Sequence, residues 1–231
     1  MKRRARADAV YAIVPVNVLN VSKARLATPL EASNRSHLTV TMLVDVIRAL
    51  RKVRKISRIT VVSADFSVRN IARRTRVHFL WEGRRRGLNR GVQLALHDAL
   101  QRGASAALIL PADIPLITPR EINRFLNFSD GHSISLTPSK DGAGTNALLL
   151  RPPGIIRPAF GKNSFRRHLS IARRKGLRPR VVKLRGIALD LDEPSDLELL
   201  KRRSMNNETG RFLKSIEGER FGKRQLAPTT N

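Results

Sequence analysis

The stretch AALILPADIPLITP, residues 106–119, decides the fold class. Its first five residues, Ala106 to Leu110, are all apolar, and a short continuous apolar run is the pattern of a strand buried on both faces. Pro111-Ala112-Asp113 ends the run and leaves a carboxylate at the strand's carboxyl end. Thr118-Pro119 then has the form of a helix start, an N-cap followed by proline at the first helical position, with the helix running to about Phe125. A buried strand, an acidic loop and a helix in that order make a βα unit. In open α/β sheets ligands bind beyond the carboxyl ends of the strands, so Asp113 is a candidate site residue.

The same unit recurs on the N-terminal side. Val10 to Val16 (VYAIVPV), Ile59 to Val62 and Val77 to Leu80 are short apolar runs. Between them, Leu38, Met42, Val46, Ile47 and Leu50 recur at helical spacing over residues 31–51, which predicts an amphipathic helix. A short helix is expected over 67–73. A further helix is expected over 89–101, with Val92, Leu96, Ala99 and Leu100 on one face and Gly103 past its end. Strands alternating with helices predict a parallel sheet with right-handed crossovers.

The second half is less regular. Strands are expected at 132–137, 146–150, 181–184 and 188–192, a helix capped by Ser164 at 164–175, and a last helix at 194–203. Closely spaced strands predict an inserted hairpin or antiparallel edge. Residues 1–203 form one domain on this reading. The basic, polar tail, 204–231, is either disordered or packed on a partner subunit.

Composition narrows the classes. A chain of 231 residues with 41% hydrophobic residues can build one core, and 4% aromatics make that core aliphatic. The absence of cysteine excludes disulfides and thiolate metal sites and suits a reducing, cytoplasmic setting. The basic start followed by Ala9 to Val16 partly resembles a secretory signal. Asp8 interrupts it, however, and no small-residue cleavage site follows. No segment approaches the roughly 20 apolar residues of a membrane helix. The net charge of +27 attracts polyanions, so non-specific nucleic-acid binding is expected on charge alone. The basic residues are nevertheless spread along the chain, without a recognition helix or interleaved aromatics.

Several residues beyond Asp113 could carry chemistry. Asp190 and Asp192, at the end of the expected last strand, point to one side because strand side chains alternate. With Asp113 they could hold magnesium through hard oxygen ligands, or Asp192 could simply cap the following helix. The loop Gly142 to Asn146 could bring backbone amides to an anion, or be an ordinary turn. Gly161 to Ser164 precedes a helix whose first amides could bind phosphate or carboxylate. Lys23 and Arg25 could clamp a triphosphate. Asn89 could cap a helix or contact a nucleotide base. No serine-hydrolase elbow, zinc-spaced histidines, Walker A loop or dinucleotide glycine motif is present. His168 is more in keeping with a structural residue.

Six segments in order resemble one known family: VPVN…SKARLA (14–27), GLNRGVQLAL (87–96), LILPADIPLITP (108–119), GAGTNALLLRPP (142–153), AFGKNSFRRHL (159–169) and LDLDEPSDLELL (189–200). The family is that of the 2-phospho-L-lactate guanylyltransferases of coenzyme F-420 biosynthesis. The resemblance spans residues 10 to 200 and implies a nucleotide-diphospho-sugar-transferase-like fold, a Rossmann-type α/β sandwich. It implies that Asp113, Asp190 and Asp192 hold Mg2+, and that Thr145, Gly161 and Ser164 grip the phosphate and carboxylate of a small phosphorylated carboxylic acid. It also implies that Lys23 and Arg25 lie near the triphosphate of GTP. Asn17 departs from the family, which usually has lysine there.

On this resemblance the acceptor phosphate attacks the α-phosphorus of GTP and pyrophosphate leaves. 2-Phospho-L-lactate is the expected acceptor, with phosphoenolpyruvate and 3-phosphoglycerate as alternatives. A homodimer is expected. A molybdenum-cofactor guanylyltransferase is disfavoured by the missing glycine-rich loop after the first strand. A basic nucleic-acid-binding protein would explain the charge but not the three aspartates at strand ends.

Overall fold

A computed structural model describes residues 9–19, 23–28, 30–83, 87–203 and 205–225, the last eight as backbone only. Seven strands form one sheet: β1 (Val10–Pro15), β2 (Ile56–Ser63), β3 (His78–Trp81), β4 (Ala106–Ile109), β5 (Ile134–Pro138), β6 (Thr145–Leu150) and β7 (Arg180–Val181). Their order across the sheet is β3-β2-β1-β4-β6-β5-β7. β1 to β4 are parallel, β6 runs antiparallel to β4 and β5, and β7 is parallel to β5. The expected parallel sheet with a small antiparallel part is thus the observed architecture.

Among the described residues eight α-helices accompany the sheet: α1 (Ala32–Arg51), α2 (Ser67–Arg74), α3 (Leu88–Gln101), α4 (Pro119–Phe128), α5 (Ser164–Arg174), α6 (Arg185–Ala188), α7 (Pro194–Lys201) and α8 (Glu208–Gln225). Side-chain alternation divides the core into two layers. Ala12 and Val14 of β1 and Leu108 of β4 pack with Leu43, Val46 and Leu50 of α1. Ile13, Ala107 and Ile109 face the other way and pack with Val92 and Leu96 of α3 and Ala172 of α5. The continuous apolar runs of the central strands follow directly, since both faces are covered.

A third cluster lies at one end of the sheet. Leu26, Leu30, Leu38 and Met42 meet Leu189, Leu191, Leu197, Leu213 and Ile216 there. It clamps the loop after β1 against the segment bearing Asp190 and Asp192.

The expected strand at 181–184 is reduced to β7, Arg180–Val181, and two larger departures accompany it. Residues 188–192 do not form a strand: α6 ends at Ala188 and the following residues are irregular. The reason is positional. β4 is already flanked by β1 and β6, so no sheet position is left beside it. The segment instead crosses the end of β4, where Leu191 N–H donates to the Asp113 carbonyl at 2.9 Å.

The second departure is the tail, where Ser204 lies outside the described residues. Residues 226–231 also lie outside the described residues; Glu208–Gln225 form α8, which packs on α1 of the same chain. The buried Asp45 carboxylate on α1 accepts from the Glu208 N–H at 3.0 Å, the Thr209 N–H at 2.8 Å and the Thr209 hydroxyl at 2.7 Å. It therefore caps a helix distant in sequence, satisfying amides that the first turn leaves without partners. Asp45→Ala is expected to cost about 2 kcal/mol, read as a fall in Tm of about 5 °C.

Candidate active site

The loop after β1 carries Lys23, whose backbone is left-handed (φ 56°) at the entry to a single 3-10 turn, Ala24–Leu26. Leu26 is fully buried in the third cluster, so the turn is anchored from below and Lys23 is directed inward. Its ammonium donates to Asp113 Oδ2 at 2.5 Å and to Asp192 Oδ1 at 2.8 Å, with the Lys23 side chain 6% exposed. Burial works against the charge, yet the Asp113 and Asp192 carboxylates outweigh it and hold the Lys23 pKa above its ordinary value.

Leu189 and Leu191 are buried in the same cluster, so Asp190 and Asp192 project the other way, into the cleft. The period of two holds here although no ladder does. Burial, followed by the Asp113 and Asp192 charges, pushes the Asp190 pKa up to about 6. The loop is braced by Asp196, whose Oδ2 accepts from the Asp192 and Glu193 N–H groups at 3.2 and 3.0 Å. Lys140 in turn donates to Asp196 Oδ1 at 2.5 Å. The helix after this loop is capped by Glu193, in a capping box with Asp196, and not by Asp192.

The three aspartates, Lys23, Asn17 and Arg25 line one side of a cleft of about 490 Å³. Thr145, Gly161 and Ser164 line the other. A second hollow of about 710 Å³ shares Asp190, Asp192, Arg25 and Gly161 with it and adds Lys140 and Lys162. A third, of about 240 Å³, shares Asn17 and Leu88 with the cleft and continues toward Glu82 and Gly91. The whole lies at the carboxyl ends of β1 and β4. The three hollows are continuous through shared residues, with carboxylates, hydroxyls and the Arg25, Lys140 and Lys162 cations along their lining.

A family model described as guanylyl transferase, CofC-like, matches residues 10–222. The chain belongs to this family.

Relatives agree over most of the chain. It is 42% identical to the phosphoenolpyruvate guanylyltransferase of Sphaerobacter thermophilus, over 82% of this chain and 91% of that one. It is 33% identical to the 2-phospho-L-lactate guanylyltransferase of Methanobrevibacter smithii, over 91% of this chain and 92% of that one. A structure from Desulfovibrio desulfuricans G20, assigned by name to the nucleotide-diphospho-sugar transferases, superposes with a TM-score of 0.72. It covers 90% of this chain and 95% of that one, at 16% identity, and shares the fold. The protein is accordingly a nucleotidyltransferase of the guanylyltransferase family.

In this guanylyltransferase Lys23, Arg25, Asp113, Thr145, Gly161, Ser164, Asp190 and Asp192 line one cleft while Asn89 does not, and several of them do other work than expected. Lys23 is a buried counter-ion between two acids rather than a mobile clamp. It stands where a cation shared by Asp113 and Asp192 would stand, and among the described residues no three acidic or histidine side chains form a ready metal-binding group. Arg25 is exposed at the mouth, 3.5 Å from Glu193.

Asn89 neither caps its helix nor faces a base. Gly87 is the N-cap of α3, and the Asn89 amide exchanges two hydrogen bonds with the Phe160 backbone, at 3.0 and 2.7 Å. It fixes the loop leading to Gly161.

The amides of Gly142, Ala143 and Gly144 are not offered to an anion. They are spent on Ser139 O, Asp141 Oδ1 and Ser139 Oγ. The turn is closed on itself, and a Cβ at Gly144 would stand 2.7 Å from Ser139 Oγ.

Ser164 is the first helical residue of α5, after an Asn163 N-cap, rather than the cap itself. The Ser164 and Phe165 amides are taken by Gly161 O and Ala143 O, both at 3.0 Å. Polar recognition on this side therefore falls to hydroxyls more than to those amides.

Sequence reasoning missed Asn146, Asp196 and Lys140. Asn146 holds the acidic loop through Ile187 O and Ala188 O at 3.1 and 3.0 Å. An asparagine heading the apolar run Ala147 to Leu150 was the available signal.

Proposed function

We propose that the cleft joins the GMP part of GTP to the phosphate of a three-carbon acid phosphorylated on its central carbon, in coenzyme F-420 biosynthesis. Phosphoenolpyruvate and 2-phospho-L-lactate both meet that description. The 42% identical relative carries the first name and the 33% identical relative the second, so phosphoenolpyruvate is the first acceptor to test. 3-Phosphoglycerate, with its phosphate on a terminal carbon, ranks behind both. The observation that carries the reading is the convergence of Asp113, Asp190, Asp192 and Lys23 across one cleft from Thr145 and Ser164.

The acceptor phosphate is anionic near neutral pH, so no general base is required. One of its oxygens attacks the α-phosphorus of GTP. The bond from that phosphorus to the oxygen bridging to the β-phosphorus breaks, and pyrophosphate leaves with the electron pair. No proton is transferred. The protein's task is to align two polyanions and offset their repulsion.

Asp113, Asp190 and Asp192 fit a divalent cation such as magnesium. They offer the hard oxygen donors such an ion takes, and it would have to share Asp113 and Asp192 with the Lys23 ammonium that now bridges them. Such an ion, when bound, supplies charge neutralisation for the reacting phosphates. Thr145 orients the acceptor, with the Ser164 hydroxyl donating to it from behind, and Arg25 at the mouth favours the departing pyrophosphate. The hollow between Asn17, Leu88 and Glu82 is of a size and position to admit the nucleoside.

The test is incubation with GTP, magnesium and each of the three acids, with pyrophosphate and product mass as readouts. Equimolar pyrophosphate and the GMP adduct of phosphoenolpyruvate or 2-phospho-L-lactate are expected. Failure to release pyrophosphate with any of the three would end the reading.

A further inference from the structure

His168 is fully buried on α5, 0% exposed, and its polar contact with the cleft lining is to Thr145. Its ring bonds define its chemical state. The Ala159 backbone N–H donates to Nε2 at 2.8 Å. A backbone amide can only donate, so Nε2 must present a lone pair. The neutral ring therefore carries its hydrogen on Nδ1, which lies 3.0 Å from Thr145 Oγ1 and must be the donor there. Burial, and then the Arg167 charge, lower the His168 pKa to about 4, so the ring stays neutral at ordinary pH. Phe160 holds the ring from the side, edge to face, with centroids 5.0 Å apart.

The consequence falls on Thr145. Its oxygen also receives the Ser164 hydroxyl at 3.3 Å. A hydroxyl oxygen has two acceptor positions and one hydrogen. With both acceptor positions taken from within the protein, the hydrogen of Thr145 is left for the cleft that this residue lines.

We propose that His168 is a positioning residue: its Nδ1–H turns the Thr145 hydroxyl outward as a donor to an anionic oxygen of the phosphorylated acid. The proposal rests on the acceptor side of the cleft assigned above. It gives the Ala159-Phe160 segment a purpose as well. Asn89 fixes the Phe160 backbone, Phe160 packs on the ring, and Ala159 selects its tautomer. Removing the Nδ1 donor lets the Thr145 hydrogen turn back toward the ring, where it no longer serves the ligand.

The test compares four variants with wild type, using phosphoenolpyruvate and 2-phospho-L-lactate in turn. His168→Gln keeps a polar group near Nε2 but removes the Nδ1 donor. It is expected to raise the KM of the acid about tenfold, the scale of one hydrogen bond to a charged group. The KM of GTP should stay within about twofold by the same reasoning. His168→Asn, whose amide can occupy the Nδ1 position, should recover most of the loss. Thr145→Val should match His168→Gln, and the double variant Thr145→Val with His168→Gln should be no worse than Thr145→Val alone.

Additive effects, or an unchanged KM for the acid in a folded His168→Gln protein, would overturn the proposal. The tautomer is read independently by nitrogen-15 NMR of histidine-labelled wild type at pH 7. A hydrogen on Nδ1 is expected, and one on Nε2 would overturn the proposal even if His168→Gln did not fold. Wild type that makes no adduct with either acid, yet shows the Nδ1 hydrogen, would instead sink the functional reading and leave the ring's hydrogen-bond assignment standing.

Discussion

Asp190→Asn is expected to abolish GTP-dependent pyrophosphate release and, in the same variant, to make the ligand-free protein more stable. The two effects share one cause. Burial, and then the Asp113 and Asp192 charges beside it, push the Asp190 pKa up to about 6 from an ordinary value of 3.8. An acid with a raised folded pKa holds more protons when folded than when unfolded across that window. Folding is therefore opposed increasingly as pH rises from 3.8 to 6, and the penalty is complete at pH 7. The shift corresponds to about 3 kcal/mol, which partial exposure to the cleft reduces to about 1–2 kcal/mol.

Asparagine keeps the shape and carries no charge. The variant should melt a few degrees higher than wild type at pH 7.5 without metal, and the gain should vanish near pH 4. Thermal unfolding at the two pH values, beside an assay of pyrophosphate, checks both halves. Turnover near the wild-type rate would refute the catalytic assignment. A Tm that fails to rise at pH 7.5 would refute the electrostatic one. A site that trades stability for charge is what a functional carboxylate cluster should look like.

Lys23→Met should do the reverse to stability and the same to activity. The Lys23 pKa is raised, so its contribution is fully present below the unfolded value of 10.5 and is lost only above that. At pH 7 its removal leaves Asp113 and Asp192 facing each other without the ammonium between them. Breaking a buried pair by removing one partner costs about 3 kcal/mol. Activity should fall by about two orders of magnitude, the scale of a lost electrostatic contact at a reacting phosphate.

Two rescues follow. Lowering the pH toward 5 protonates carboxylates and should narrow the gap in Tm to wild type. Millimolar magnesium should raise the Tm of Lys23→Met more than that of wild type, because the ion and the ammonium compete for Asp113 and Asp192. Equal magnesium shifts in both proteins would argue against a metal on these residues.

Much of the fold was legible from burial pattern. Runs such as Val10 to Val16 and Ala106 to Leu110 are apolar on consecutive residues because β1 and β4 are covered on both faces. Strand ends mark where ligands approach, and that rule pointed to Asp113. The alternation of Leu189 and Leu191 with Asp190 and Asp192 pointed to the other two acids. The element itself was misread, since alternation records which side is buried and not whether a neighbouring strand is free to pair.

By itself, then, the sequence determined the parallel α/β architecture, the acidic ends of its chain segments and the likeness to a guanylyltransferase family. Only the tertiary structure decided what each polar side chain holds. It placed Lys23 between acids 90 and 169 residues away, tied Asn89 to Phe160, and set His168 against Thr145. Hydrophobic burial is summed over many residues and leaves a periodic trace in the chain. A hydrogen bond or ion pair joins two groups whose separation in sequence carries no such period, so its partner is settled only when the sheet and its loops have closed around it.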